Sequence, residues 1–438
     1  MGELDEKTRT HVKLIILDTL GCGLFGSTLP WVRTVREYVE SWDRNDEATI
    51  WGTRSRAHST SATLVNSIAT HGFEFDDTHL PLGLHTGCVV LPAALAVAEA
   101  AGATGERLLG AVAMGMETLI RVRQGMDMTH IERGWNSTGS IGNLGAAMAA
   151  GYVMKLDPVR LGHALAVAAI NSGGLQVAQF SMSKRFIVAR PAQSGVIAAQ
   201  LASRGFEGSL NALESETGGF LAAFSDGFDP AAVVQGLGKE FGLLDSHIKP
   251  YPAAQGTHEP VDQTLLLMSE HGFKAPDVER VEVGLHSISY HYQRELTFDN
   301  LAQALFSVRF CVALALCEGE LGPDQMTERH LADPAVLAMA ERVAVEQDAD
   351  LESFGRRARC GARVTIFLRD GRVLGGHVAP LPRGARERPF PEEVVVAKFD
   401  DLARRVVSPS QAVEIKRLVM KLQEVGDVRS LIDCLKGA

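Results

Sequence analysis

The densest group of chemically capable side chains runs from His71 to His85 and includes Glu74, Asp76, Asp77 and His79. Three carboxylates and three imidazoles within fifteen residues can hold a metal, move protons or bond a loop together. None of the histidines has the two-His helical spacing of a zinc hydrolase, so no metal is expected. Asp76 and Asp77 suit structural work, accepting backbone N–H groups ahead of the apolar helix that follows. His85 suits proton transfer, because imidazole titrates near neutrality without tuning. For His79 a hydrogen bond within the loop is the expected use.

A second group is Lys184 and Arg185, which follow Ser181-Met182-Ser183 and precede an apolar helix. Adjacent cations at a helix terminus are either a solvated pair or a carboxylate clamp; Arg forks and Lys point charges suit the latter. The third is Lys249-Pro250-Tyr251-Pro252 after His247, with His258 beyond. Two prolines fix an extended, turning backbone that aims Lys249 and Tyr251 in defined directions.

The elements that must carry these groups are mostly helices. Val12, Ile15, Ile16, Thr19 and Leu20 share one helical face, and Gly26-Ser27 with Pro30 ends that helix. The spacing predicts further helices over 91–101, 108–126, 142–154, 158–171 and 192–203, rich in Gly and Ala and so able to pack closely. After Pro260 the pattern changes. Val281, Val283 and Leu285 alternate with polar residues, as do Val364, Ile366 and Leu368; Asp370-Gly371 then supplies a hairpin turn. A helix is expected over 300–318. Ser408-Pro409-Ser410-Gln411 carries the signals of a helix start. The fold class is therefore mainly α, with a helical domain over 1–260, a smaller α+β domain over 261–391 and C-terminal helices over 392–438. No internal repeat is visible.

Composition narrows the partners. The chain has 438 residues, 46% of them hydrophobic and 22% charged, a globular balance long enough for two domains. A net charge of −10 argues against nucleic acid, which demands a basic face. The uncharged stretches 136–154 and 161–183 contain Asn, Ser, Gln and Gly, so buried helices rather than membrane spans are expected. Six scattered cysteines without a Cys-x-x-Cys pair, and a charged lead with no signal-peptide pattern, point to the cytoplasm.

Taken in order, these blocks resemble the MmgE/PrpD family. The resemblance is carried by Trp51-Gly52, the run from Asn66 through His71 and Phe75-Asp76-Asp77-Thr78 to His85, and Leu91-Pro92. It continues through Gly134-Trp135-Asn136-Ser137-Thr138, Met182-Ser183-Lys184, Lys249-Pro250-Tyr251-Pro252 with His258, and Lys398-Phe399. It thus spans essentially the whole chain. Members include 2-methylcitrate dehydratases, cis-aconitate decarboxylases and iminodisuccinate epimerases. It implies a large all-helical domain with a smaller α+β lid, C-terminal helices returning to the helical domain, a homodimer, and no metal or organic cofactor.

The resemblance also implies site residues. Glu74 stands for the family's first active-site Asp, Thr78 and His85 match, and Lys184 and Lys249 match the lysines expected to face substrate carboxylates. Asn136 replaces a His, Phe310 replaces a Tyr, and Arg185 and Arg309 stand where Pro is common. Asn cannot carry a proton at neutral pH, and Phe can neither donate nor accept a hydrogen bond. Because the resemblance ties decarboxylation to that His and Tyr, elimination is the expected reaction. The expected enzyme is a hydro-lyase on a small hydroxy-polycarboxylate, a di- or tricarboxylate. His85 is its acid or base, Glu74 and Thr78 orient, and Lys184 and Lys249 neutralise carboxylates. Arg185, Asn136, Tyr251, His258, His79 and Phe310 are expected to line the substrate. The other readings are an epimerase or isomerase with two bases on opposite faces, a decarboxylase, and a member that only binds an acidic metabolite.

Overall fold

Long apolar runs built from Ala, Leu and Met, with few β-branched residues, favour helix over strand. The computed structural model describes residues 4–293 and 296–437; Met1, Gly2 and Glu3 of the charged lead lie outside them. The fold is mainly α and divides into two units. The first comprises Met1–Gly72, Asp76–Ile248 and Pro391–Ala438; the second comprises Lys249–Phe390 together with Phe73–Phe75.

In the first unit, helix α1 (Glu6–Gly26) is capped by Asp5, whose side chain accepts from the Thr8 N–H. It stops at Gly26, and Pro30 opens α2 (Pro30–Trp42). Then follow α3 (Ser59–Thr70), α4 (Gly87–Ala101), α5 (Gly105–Gln124), α6 (Ser137–Val153), α7 (Pro158–Ala169) and α8 (Lys184–Ser203). Small residues let these helices approach. A Cβ added to Gly195 of α8 would lie 2.5 Å from the Cβ of Ala146 on α6. Four helices begin earlier than their periodicity predicts. Helix α4 starts at Gly87, α5 at Gly105, α6 at Ser137, and α8 at Lys184, running through Pro191, which packs against Gly142. In α6 the first turn is Ser137-Thr138-Gly139-Ser140, where the apolar period is not yet visible. Strand β1 (Thr78–His79) pairs antiparallel with β2 (Ser246–His247), tying the polar loop after α3 to the end of this unit.

The second unit begins with α9 (His258–His271), followed by strand β3 (Val278–Leu285), helix α10 (Val308–Glu318), and strands β4 (Val343–Gln347), β5 (Ala362–Leu368) and β6 (Val373–Ala379). The four strands lie in the order β4-β3-β5-β6; β4 runs parallel to β3, and the other pairs are antiparallel. Val281, Val283, Leu285, Val364, Ile366 and Leu368 are all buried, as their alternation requires. The register of β5 against β6 shifts between Arg363 and Thr365. Gly375 faces this bulge with φ +83°, where a Cβ would collide with the Val364 carbonyl. The helix expected over 300–318 is broken. Leu301–Ala304 forms one turn, and α10 starts afresh because Ser307 caps it, accepting from the Phe310 N–H.

The chain then returns to the first unit as α11 (Glu392–Ala403) and α12 (Pro409–Met420). Ser408 and Gln411 form the reciprocal capping box legible in their spacing. Phe399 of α11 packs on α1 at Gly21, where a Cβ would lie 3.2 Å from its ring. Among the described residues no single helix is long and apolar enough to cross a membrane. The pair α1 and α2 passes such a test only together, across an 84° bend.

Candidate active site

Asp77 does the capping expected of it. Its carboxylate accepts from the Gly87 N–H at 2.7 Å and from Thr86 Oγ1 at 2.5 Å, fixing the start of α4. Position 87 must be glycine, since a Cβ would lie 2.4 Å from both Asp77 Oδ1 and Thr19 Oγ1. Burial pushes the Asp77 carboxyl upward, and the charge of Asp76 adds to that.

Asp76 does something different: it sits between two imidazoles. His71 Nδ1 lies 3.0 Å from both its oxygens, and His85 Nδ1 lies 3.1 Å from Oδ2. Burial opposes ionisation of Asp76, but the charges and hydrogen bonds of the two histidines outweigh it and hold the carboxyl well below the usual range. An ionised carboxylate only accepts, so both Nδ1 atoms carry hydrogens. The other atoms around His85 Nδ1 agree: the Asp77 carbonyl at 3.0 Å and Thr78 Oγ1 at 3.4 Å can both accept. His85 Nε2 is thereby left as the nitrogen that can take a proton. The His85 backbone N–H is fixed by Thr138 Oγ1 at 3.0 Å, and its ring meets that of His71 edge-on at 4.5 Å. Its side chain is 14% exposed, against none for His71 or Asp76, so His85 is the member of the array that faces outward.

The remaining sites predicted in the first unit have mixed fates. Lys184 and Arg185 are not a solvated pair, since both are buried. Lys184 is the first residue of α8, and its charge acts on the Cys88 thiol, which burial pushes far upward. Arg185 donates to the carbonyls of Gly72 at 3.3 Å and Ser181 at 3.0 Å, and its guanidinium lies 5.4 Å from the Trp31 ring. That geometry clamps the loop entering Phe73. Asn136 caps α6, its side-chain oxygen accepting from the Gly139 N–H at 3.0 Å. His79 bonds the Gly242 carbonyl at 3.1 Å, a backbone partner outside the loop in which its bond was expected.

In the second unit, Lys249 donates to the Glu74 carbonyl at 3.0 Å and lies 3.5 Å from its Oε2, with both residues almost fully buried. Glu74 adopts φ +55°, a left-handed conformation that a non-glycine residue holds only when its surroundings impose it. Tyr251 donates its hydroxyl hydrogen to Asp262 at 2.9 Å, and Arg383 grips the same carboxylate. Burial and the Asp262 charge raise the phenol, so this proton stays in place. His258 donates to the Ala253 carbonyl at 2.9 Å and stacks beside Tyr251. Phe310 is wholly buried against Phe298, and Arg309 lies over that same ring.

The sequence reading missed two features. One is the use of Asp76 as a shared acceptor, which needs His71 folded back onto it. The other is a buried ion pair between Asp18 of α1 and Lys398 of α11, at 2.6 Å. Its signal was present, since Asp18 is the only charged residue in the apolar run 14–25.

Sequence comparison adds an independent line. Profiles of the MmgE/PrpD N-terminal domain and the MmgE/PrpD C-terminal domain match residues 1–232 and 251–424. The chain is 26% identical to the cis-aconitate decarboxylase-like protein oryM of Aspergillus oryzae, over 98% of this chain and 92% of the relative. It is 27% identical to a cis-aconitate decarboxylase of Aspergillus terreus, over 97% and 91% of the two chains. The human cis-aconitate decarboxylase is 26% identical over 100% and 92%.

Proposed function

The chain belongs to the MmgE/PrpD family, and from that premise we propose that it is a hydro-lyase acting on a small hydroxy-polycarboxylate. The coarser statement, an enzyme of lyase type, follows from its relatives, which are cis-aconitate decarboxylases. One observation carries the finer reading: His85 is held by Asp76 through Nδ1, so that Nε2 is the basic atom.

Removing a proton beside a carboxylate builds negative charge that must be met by fixed cations. Lys184 and Lys249 are assigned that role, with Glu74 holding Lys249 in place. His85 Nε2 takes the proton, and Thr78, which accepts from Nδ1–H, supports the ring. Tyr251 is a poor proton donor, because Asp262 holds its hydrogen. Asn136 caps a helix and Phe310 lies in the core, so neither supplies a proton. Elimination needs no further donor if His85 returns its proton to the leaving hydroxyl. No metal or organic cofactor is required by this scheme.

The relatives favour a second reading, decarboxylation of cis-aconitate. The test is proton NMR in D₂O with 2-methylcitrate, citrate, cis-aconitate, malate-type hydroxy acids and iminodisuccinate. A new vinyl signal from a hydroxy acid, lost in His85→Ala and Lys184→Ala, supports elimination; the His85 variant is expected to lose on the order of 10²–10⁴ in rate. Deuterium entering the α-position without a new product means epimerisation. Carbon dioxide release from cis-aconitate means decarboxylation.

The homodimer implied by the resemblance belongs to the same proposal. Ile170, Leu175, Val177 and Met182 are all more than half exposed in the uncharged stretch 161–183, the kind of surface a partner copy covers. Light scattering on the eluting protein tests it: a mass of one chain rejects the dimer.

A further inference from the structure

The proton chemistry assigned to His85 does not use the Asp18–Lys398 pair, yet the pair borders the same array. Its atoms lie 2.6 Å apart, with the Asp18 side chain wholly buried and that of Lys398 9% exposed. Thr19, next to Asp18, and Asp77 both close on Gly87, each with an oxygen 2.4 Å from where a Cβ would lie. The charges of Asp76 and Asp77 act on Asp18, and that of Asp76 acts on Lys398.

The titratable groups around the pair come from several elements. Cys22 lies on α1, Asp76 and Asp77 on the loop, and His71 and His85 on Asp76. Cys88 lies on α4, and Lys184 of α8 acts on it. Asp18, Asp76 and Asp77 are thus three buried carboxylates, with the charges of Asp76 and Asp77 acting on Asp18 and that of Asp76 on Asp77. Asp76 accepts from two imidazoles most strongly while ionised, and burial works against ionisation. A fixed cation nearby offsets that cost.

We propose that Lys398 is a positioning residue for His85: its ammonium, held by Asp18, keeps Asp76 ionised as the solution is acidified, so that both imidazoles stay bonded to it. Asp18 sets when this charge is felt. Burial pushes the Asp18 carboxyl up to about 6, against the pull of Lys398. Above that pH Asp18 cancels the ammonium; below it Asp18 is neutral and the full charge acts on Asp76. For its effect on turnover the inference rests on His85 as the base; its direct test does not.

That test is the low-field proton NMR signal of imidazole N–H groups bonded to Asp76, assigned by loss in His85→Gln and followed with falling pH. In Lys398→Met the signals are expected to vanish about one pH unit above the wild-type point. Lys398→Arg should behave as wild type. Asp18→Asn should match wild type at the acid end, where Asp18 is already neutral. If the single Met variant does not fold, Asp18→Asn/Lys398→Met leaves no charge unpaired there and carries the same expected shift. A folded Met or double variant that loses the signals at the wild-type pH overturns the inference, as does a wild type without such signals. With a panel acid that the wild type turns over, the acid limb of the pH–rate profile should move by the same amount. Absence of wild-type turnover sinks the proposed function while leaving the NMR result to decide this one.

Discussion

Each unit of the molecule buries a group of acids, and the two groups are neutralised by opposite means. In the first unit Asp76 faces two imidazoles, side chains that exist in both charged and neutral forms and so can exchange a proton. In the second, Asp262 and Glu259, one turn apart on α9, face Arg383 and Arg388, which cannot. Arg383 bonds both oxygens of Asp262, which in turn fixes the Tyr251 hydroxyl. Glu259, with Arg388 on one oxygen and Gln263 on the other, is still pushed up to about 7 by burial. The lesson is that burial alone does not mark a catalytic acid. What marks it is a partner whose own charge can change, with one atom turned outward, as in His85.

The sharpest way to break this comparison is Asp76→Asn. An amide oxygen can still accept, but it no longer enforces Nδ1–H on both rings, so His85 loses its defined base nitrogen. Turnover of the identified substrate is expected to fall on the order of 10²-fold with the fold retained; steady-state kinetics beside circular dichroism checks it. A fully active Asn variant would place Asp76 with the structural acids of the second unit.

A smaller effect, on stability, probes the other side. Glu259 keeps its proton in the folded chain up to about pH 7, whereas the unfolded chain releases it near 4.5. Across that window the native state binds more protons, so stability falls as pH rises. Glu259→Gln should flatten this fall by on the order of 2 kcal/mol between pH 5 and 8, read from urea unfolding at the two values. An unchanged slope would mean that Arg388 keeps the carboxylate ionised after all, making the two units less alike than drawn.

What could be read from the sequence follows from how local each signal is. The Asp370-Gly371 hairpin, the Ser408 capping box and the alternation of Val281, Val283 and Leu285 need only near neighbours, and all are present. His85 stood out through its residue type. Whole-chain similarity supplied the family, since the order of blocks survives where single residues change. The break at Ser307 was hidden because apolar residues continue on both sides of the capping Ser. The pinned Tyr251 hydroxyl was hidden because Asp262 and Arg383 are distant from it and from each other in sequence. Arg185 read as a cation for a carboxylate because sequence does not show that the carbonyls of Gly72 and Ser181 wait for it.

The Asp18–Lys398 pair has a consequence in time as well as in space. Asp18 lies in α1 and Lys398 in α11, so the acid is synthesised well before its counter-charge. Between the two, the growing chain carries an acid meant for the interior whose counter-charge has not yet been made. Until α11 arrives, Asp18 must stay wet or stay protonated, so the seat of α1 closes for good only once α11 has been translated.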